Sequence, residues 1–208
     1  MRSAIRLIAA AALLACLTAC SRKPPEKSAA VEDDVLQFRQ ERDRVFKSGQ
    51  NTPLSPELKA QFAGLAYYPI NSTLRFEARL NRYPVPKVVR IGTNTGEIRT
   101  GLRYGYFEFV VEGKTCSLQV YRLTDDPAVD TASLFIPFKD ATSGSETYAS
   151  GRYIDLKENT SGIYDLDFNR AYNPSCAYGE GFSCPVAPEE NRLTVPIRAG
   201  EKKFPLHE

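Results

Sequence analysis

Apolar positions recur along this chain first at a helical period and then at a period of two. Between Ala29 and Lys47, residues Val31, Val35, Phe38, Val45 and Phe46 fall roughly on one face, and Arg42 interrupts the stripe. Glu32, Asp33 and Asp34 crowd the start of this segment, while Arg42, Arg44 and Lys47 crowd its end, which suits the helix macrodipole. Gly49 is a natural stop. A second, short helix is announced by Ser55-Pro56-Glu57, with serine as N-cap and proline in the first turn, and should run to Phe62 before breaking at Gly64. From Leu74 to Leu80 the pattern alternates, four apolar residues against three charged ones. Further strands are predicted over 87–92, 97–111, 114–123, 132–138, 149–157, 162–169 and 192–198, with Asn94-Thr95-Gly96 and Glu112-Gly113 as hairpin turns.

These elements predict a mainly β fold, an antiparallel β-barrel or β-sandwich with one or two N-terminal helices packed against it. Composition agrees: 11 tyrosines and 11 phenylalanines, with no tryptophan, suit an aromatic-packed β core. No internal repeat is visible, so residues 29–208 read as a single domain.

The first 19 residues read differently. Arg2 and Arg6 precede an apolar run from Leu7 to Leu17, too short to span a bilayer but suited to a secretory signal peptide. It ends in Leu17-Thr18-Ala19-Cys20, which resembles the lipobox of bacterial lipoproteins. That resemblance implies cleavage before Cys20, acylation of its thiol, and a lipid membrane as partner. Several acyl chains anchor stably where one would be marginal. Ser21 stands where inner-membrane lipoproteins carry aspartate, so the expected address is the periplasmic face of the outer membrane. Residues 20–28 then form a lipidated cysteine and short tether.

Removing the leader also changes the charge. Taking Arg2 and Arg6 from 27 basic residues leaves 25 against 25 acidic ones, so a nucleic-acid partner has no support. There is no Gly-rich phosphate loop, no dinucleotide fingerprint and no Gly-x-Ser-x-Gly elbow. The single histidine, His207, stands next to the terminus, which argues against conventional triads and zinc hydrolases. Neither a metal nor a cofactor is expected, and nothing in the pattern speaks to oligomeric state.

Three stretches could carry chemistry. In YNPSCAYGEGFSCP, Cys176 and Cys184 enclose seven residues that include Gly179 and Gly181, so the chain can turn back on itself. A disulfide in an exported protein is the leading reading, worth roughly 2.5 kcal/mol by loop closure. Upstream, a strand over 151–156 puts Arg152 on the face of Ile154 and Leu156. A guanidinium there must be paired, with Asp140 or Glu146 at hand, or must grip a ligand carboxylate or phosphate. Finally, alternation over 164–169 sets Tyr164, Leu166 and Phe168 against Asp165, Asp167 and Asn169. That polar triplet suits a solvated face, a hard-cation site or an acid–base pair.

The stretches FKDATSGSETYASGRYIDL and LDFNRAYNPSCAYGEGFSCPVAPEENRLTVPIRAGEK resemble a prokaryotic family known as domain of unknown function 1684, and the likeness extends over nearly the whole mature domain. It implies no activity or cofactor, but directs attention to positions between Asp140 and Arg152, between Asp167 and Pro185, and to Asn191, Gly200 and Glu201. Members that look cytoplasmic carry a similar cysteine pair, which sets a thiol or metal role beside the structural disulfide.

The resulting expectation is a pocket for a small polar or anionic envelope ligand, formed by Arg152, Tyr148, Asn169 and Asn173. An alternative is a hydrolase- or lyase-like enzyme with Asp167 as base and Tyr148 or Tyr172 as acid. Another is a structural envelope interaction protein, which complete pairing of Arg152 within a dry core would favour.

Overall fold

The computed structural model describes residues 26–50, 52–125 and 130–204. The segment read as a signal peptide, Cys20 and His207 lie outside these residues. Helix α1 spans Glu26–Ser48 and α2 spans Pro56–Gln61. Helix α1 therefore begins within the segment read as tether. The Ser55 hydroxyl accepts from the Leu58 N–H at 3.3 Å, the cap that the sequence predicts.

Seven strands follow: β1 (Arg75–Arg79), β2 (Asn81–Gly92), β3 (Ile98–Val111), β4 (Lys114–Leu123), β5 (Ser133–Phe138), β6 (Arg152–Lys157) and β7 (Ile163–Asp167). They form an antiparallel five-stranded sheet in the order β2-β3-β4-β5-β6 and a two-stranded β1-β7 sheet. The fold is mainly β, as expected, and the two sheets face each other without closing into a barrel. Phe107, Leu118, Leu134, Ile136, Leu166 and Phe168, all fully buried, fill the space between them.

Two differences from the sequence reading have physical causes. Strand β2 starts at Asn81, six residues early, and is bulged between Arg82 and Lys87 where Pro84 and Pro86 cannot donate to the ladder. Residues 192–198 are not a ladder strand, and Pro196 again lacks a donor. Their backbone instead meets that of Lys139 and Ala141 through Leu193 N–H to the Lys139 carbonyl (2.8 Å) and Ala141 N–H to the Val195 carbonyl (3.1 Å).

Helix α1 docks through a mixed face. Val35 and Phe46 are buried, whereas Val45 is exposed. Arg42, the residue that interrupts the apolar stripe, is the docking pin. Its Nε and Nη2 donate to Glu201 Oε1 at 3.2 and 3.0 Å. Glu201, only 1% exposed, also accepts from the Asn173 N–H at 2.6 Å and from the Tyr178 hydroxyl. With the Tyr67 hydroxyl at 3.5 Å, five donors on a buried carboxylate meet the requirement for ionised groups removed from water.

Glycines with positive φ precede two of the buried charges, Arg152 and Glu201. Gly151 (φ +102°) precedes Arg152, and a Cβ there would lie 2.5 Å from the Phe138 carbonyl oxygen. Gly200 (φ +75°) precedes Glu201, and its Cβ would meet the Ala171 carbonyl oxygen at 2.5 Å. Only glycine allows both the left-handed backbone and the close approach.

Candidate functional site: a cleft between the helix and the two sheets

Arg152 is in the core, with no exposed surface. Its Nη2 donates to Asp140 Oδ2 and to the Ile197 carbonyl, both at 2.8 Å. Its Nη1 donates to the Ala199 and Glu201 carbonyls, the latter at 3.2 Å. Its guanidinium carbon sits 5.2 Å from the Phe138 ring centroid. Asp140, equally buried, accepts in addition from the Thr142 N–H (2.8 Å), the Thr142 hydroxyl (2.6 Å) and the Ile197 N–H (3.2 Å). Arg152 thus follows the paired alternative, with Asp140 and not Glu146 as partner. Its acceptors are all protein groups and no surface of it is open to a ligand.

The other expected ligand residues are similarly occupied. Asn169 Oδ1 accepts from the Asn71 N–H at 2.7 Å, and its Nδ2 donates to the Asn71 carbonyl at 2.9 Å. Asn173 Nδ2 donates to the Lys202 carbonyl at 2.9 Å, while its buried Oδ1 has no hydrogen-bond partner among the described residues. Tyr148 packs beside the Phe46–Tyr178 cluster, with its hydroxyl donating to the Cys176 carbonyl (3.4 Å) and Sγ (3.5 Å). Arg152, Tyr148, Asn169 and Asn173 therefore do not line one pocket. They fasten the C-terminal segment and the 167–176 stretch to the core.

Two of the acid–base candidates do share a cavity. A cleft of about 620 Å³ runs between α1 and the β6 and β7 strands, and Asp167, Tyr172, Asp155, Arg42, Arg170 and Phe38 all face it. Alternation along β7 stops at Asp167, because residues Phe168–Arg170 form a 3₁₀ turn that buries both Phe168 and Asn169. Asp167 caps that turn. Its Oδ1 accepts from the Asn169 N–H (2.9 Å) and Nδ2 (2.7 Å). Its Oδ2 is buried and has no hydrogen-bond partner among the described residues. The nearest cation is Arg75, whose Nη1 stands 3.8 Å away and is likewise without a hydrogen bond. Desolvation holds the Asp167 proton more tightly than usual, against the bonds from Asn169 and the Arg75 charge. Asp165, on the solvent side, is held by Arg75 Nε at 2.7 Å.

Across the cleft, the Tyr172 hydroxyl donates to Asp155 Oδ2. Burial, followed by the adjacent Asp155 charge, pushes Tyr172 well above the ordinary phenol range. Desolvation also raises Asp155, opposed by the Tyr172 bond and the Arg42 charge. Arg42 stacks 4.7 Å from the Tyr172 ring centroid, and Arg170 stacks 4.8 Å from that of Phe38 while pairing with Asp34 at 3.3 Å. A second cleft of about 390 Å³ shares Asp155 and Tyr172 as its wall and is otherwise rich in apolar groups, among them Leu123, Phe135 and Pro185.

Arg42, Asp155 and Arg170 are site residues that the sequence reading did not single out as such. The one signal was the break that Arg42 makes in the stripe of α1. Among the described residues, no group of three or more His, Cys, Asp or Glu side chains could hold a metal ion, and no helix is long and apolar enough to cross a membrane.

None of the curated proteins matches the chain. A solution NMR structure of an uncharacterized protein from gene locus rrnAC0354 of Haloarcula marismortui is similar to it, with 33% identity and a TM-score of 0.66, covering 85% of this chain and 96% of that one. Residues 60–202, which carry strands β1 to β7, the sheet side of the cleft and both cysteines of the 176–184 pair, match the family described as protein of unknown function DUF1684, and the chain belongs to that family.

Proposed function

We propose that this chain is a lipoprotein of the cell envelope, anchored through acylated Cys20 at the periplasmic face of the outer membrane, that binds a small polar molecule in the cleft between α1 and β6–β7. The observation that supports the binding reading is Asp167 Oδ2, a carboxylate oxygen just beneath the wall of an open cleft that has no hydrogen bond among the described residues and only Arg75 Nη1, at 3.8 Å, as a neighbouring cation. A group left in that state costs free energy that a ligand donor would recover. The cations Arg170 and Lys157 at the same cleft suit an anionic group on that ligand, and the Phe38 and Tyr172 rings suit its carbon skeleton. The ligand class is therefore a small molecule carrying both a hydroxyl or amine donor and a carboxylate or phosphate.

Arg152 has no exposed surface and its Nη1 and Nη2 are both bound to protein acceptors, with only Nε left without one, so the binding reading rests on Asp167 and not on Arg152. An acid–base enzyme is the second reading, supported by Asp167 and Tyr172 facing one cleft. Tyr172, however, is committed to Asp155 and holds its proton far above neutrality, which suits a wall better than a proton donor. Tyr148 stands apart, at the thiol pair.

Native mass spectrometry of the full chain, purified from membranes in mild detergent, tests the binding reading. We expect a retained small-molecule mass that Asp167→Asn loses while keeping the wild-type circular dichroism spectrum. A ligand-free mass, together with no thermal shift from amino acids, hydroxy acids or sugar phosphates, would overturn it. Anchoring is tested separately: Cys20→Ser should move the protein from the membrane to the soluble fraction, and an unchanged membrane fraction would refute acylation.

A further inference from the structure

The cysteine pair plays no part in the cleft, yet it is built with care. Cys176 is on a 3₁₀ turn, Ser175–Ala177, whose Ala177 and the following Tyr178 are buried. Cys184 is strapped to the β2–β3 connection, with its N–H donating to Asn94 Oδ1 at 2.6 Å and its carbonyl accepting from the Asn94 N–H at 3.0 Å. Both anchors of the intervening loop are therefore fixed, and Gly179 and Gly181 let that loop close. The two residues are in direct contact: the Cys176 N–H donates to Cys184 Sγ at 3.4 Å. The Tyr148 hydroxyl approaches Cys176 Sγ from outside the loop at 3.5 Å. Both cysteines are thiols in this structure, and each keeps a little exposed surface, 7% for Cys176 and 9% for Cys184.

We propose that Cys176 and Cys184 form a reversible dithiol–disulfide couple in which Cys176 is the attacking sulfur and Cys184 the resolving one. The roles follow from the asymmetry of the contacts. Cys176 Sγ accepts a hydroxyl, that of Tyr148, whereas Cys184 Sγ accepts a backbone N–H, that of Cys176. The neighbouring Cys184, then burial opposed by the Tyr148 hydroxyl, leaves Cys176 at about 7, and Cys176 in turn raises Cys184.

The exchange needs a disulfide-bearing oxidant, such as glutathione disulfide or an oxidised dithiol carrier. The Cys176 thiolate attacks one sulfur of the oxidant, forming a mixed disulfide and releasing one thiolate. Cys184 then loses its proton to that leaving thiolate and attacks Cys176 Sγ, releasing the second oxidant sulfur as a thiolate. Two protein thiols are oxidised to one disulfide, and one oxidant disulfide is reduced to two thiols. A structural metal reading is weaker, because a closed site wants more ligands than two sulfurs and no third ligating residue joins them among the described residues. Cys116 cannot take part. It belongs to the main core, with its Sγ 3.7 Å from the Lys114 carbonyl.

The full chain, purified under reductant and then exposed to glutathione disulfide, provides the test. Intact mass should fall by two hydrogens with no glutathione adduct, and peptide-resolved labelling after denaturation should find Cys116 free but Cys176 and Cys184 blocked. In Cys184→Ser, Cys176 should be trapped as a glutathione adduct at least about tenfold faster than Cys184 is in Cys176→Ser. Should either serine variant fail to fold by circular dichroism, the rate of bromobimane alkylation of the reduced native protein reads the same asymmetry, with Cys176 modified first. Free labelling of both cysteines after oxidation would overturn the couple. Equal adduct rates in the two variants, or in the native protein, would overturn the roles. The inference draws on no residue of the cleft, so failure of ligand binding there leaves it standing.

Discussion

Replacing Asp140 by alanine while leaving Arg152 in place strands a guanidinium in a dry core. Arg152 Nη2 loses its 2.8 Å carboxylate partner, and the Thr142 N–H, Thr142 hydroxyl and Ile197 N–H lose their acceptor. Breaking a buried ion pair on one side costs about 3–5 kcal/mol, and stranded donors add to it without full additivity. An expected loss of about 4 kcal/mol corresponds, for a domain of this size, to a fall in Tm of roughly 8–16 °C. Arg152→Met removes the charge but strands Asp140 Oδ2 and three carbonyls, so it should cost a similar amount. The double variant Asp140→Ala/Arg152→Met should be less destabilised than the sum of its singles by about 1–3 kcal/mol, because the second substitution relieves the charge that the first uncovers. Urea unfolding followed by far-ultraviolet circular dichroism measures all four corners of the cycle, with a constant slope as the check on two-state behaviour. Singles that lose less than about 1 kcal/mol, or a strictly additive double, would refute the claim that this pair is a buried structural unit.

Three other outcomes are expected. Asp167 holds its proton above the ordinary carboxylate range, so its favourable share of stability is complete below the unfolded pKa and declines as pH rises through the folded one; Asp167→Asn should gain on wild type between pH 4 and pH 7 in urea unfolding, and a flat difference would count against the free oxygen. Glu112 adopts φ +50° in the two-residue β3–β4 turn, a conformation that asparagine tolerates better; Glu112→Asn should raise stability by roughly 0.5–1 kcal/mol, and a loss would contradict the turn assignment. Glu201→Gln weakens the clamp on Arg42 and should cost about 2 kcal/mol, with faster amide exchange over residues 34–46 than elsewhere; uniform exchange would mean that α1 is held by its apolar face alone.

The sheet was legible because its signal is local. Alternation from Leu74 to Leu80 and the Glu112-Gly113 turn each report their own geometry within a few residues. The cleft was not, because it is assembled from α1, β6, β7 and the 170–172 stretch, and nothing in Arg42 or Asp155 alone reveals the partner across the gap. Arg152 illustrates the boundary. Its place on an apolar face was readable, and so was its need for a partner, but three of its four acceptors are backbone carbonyls between Ile197 and Glu201 that carry no side-chain signature. Asn169 was misplaced for a different reason: a 3₁₀ turn begins one residue after Asp167 and carries Asn169 from the expected solvent face into the interior.

The way Glu201 and the carbonyls near it close the structure bears on the order in which the chain can fold. Arg42 and Glu201 are 159 residues apart, and Arg152 draws its carbonyl partners from 45 to 49 residues downstream. A chain emerging from its N-terminus holds α1 without its clamp and Arg152 with only part of its shell until nearly every residue has appeared. Stretches that must wait for distant partners gain little by collapsing early, and contacts of such separation fold slowly. Completion of both clusters thus waits for residues 197–201, whose backbone and one carboxylate act together as the latch.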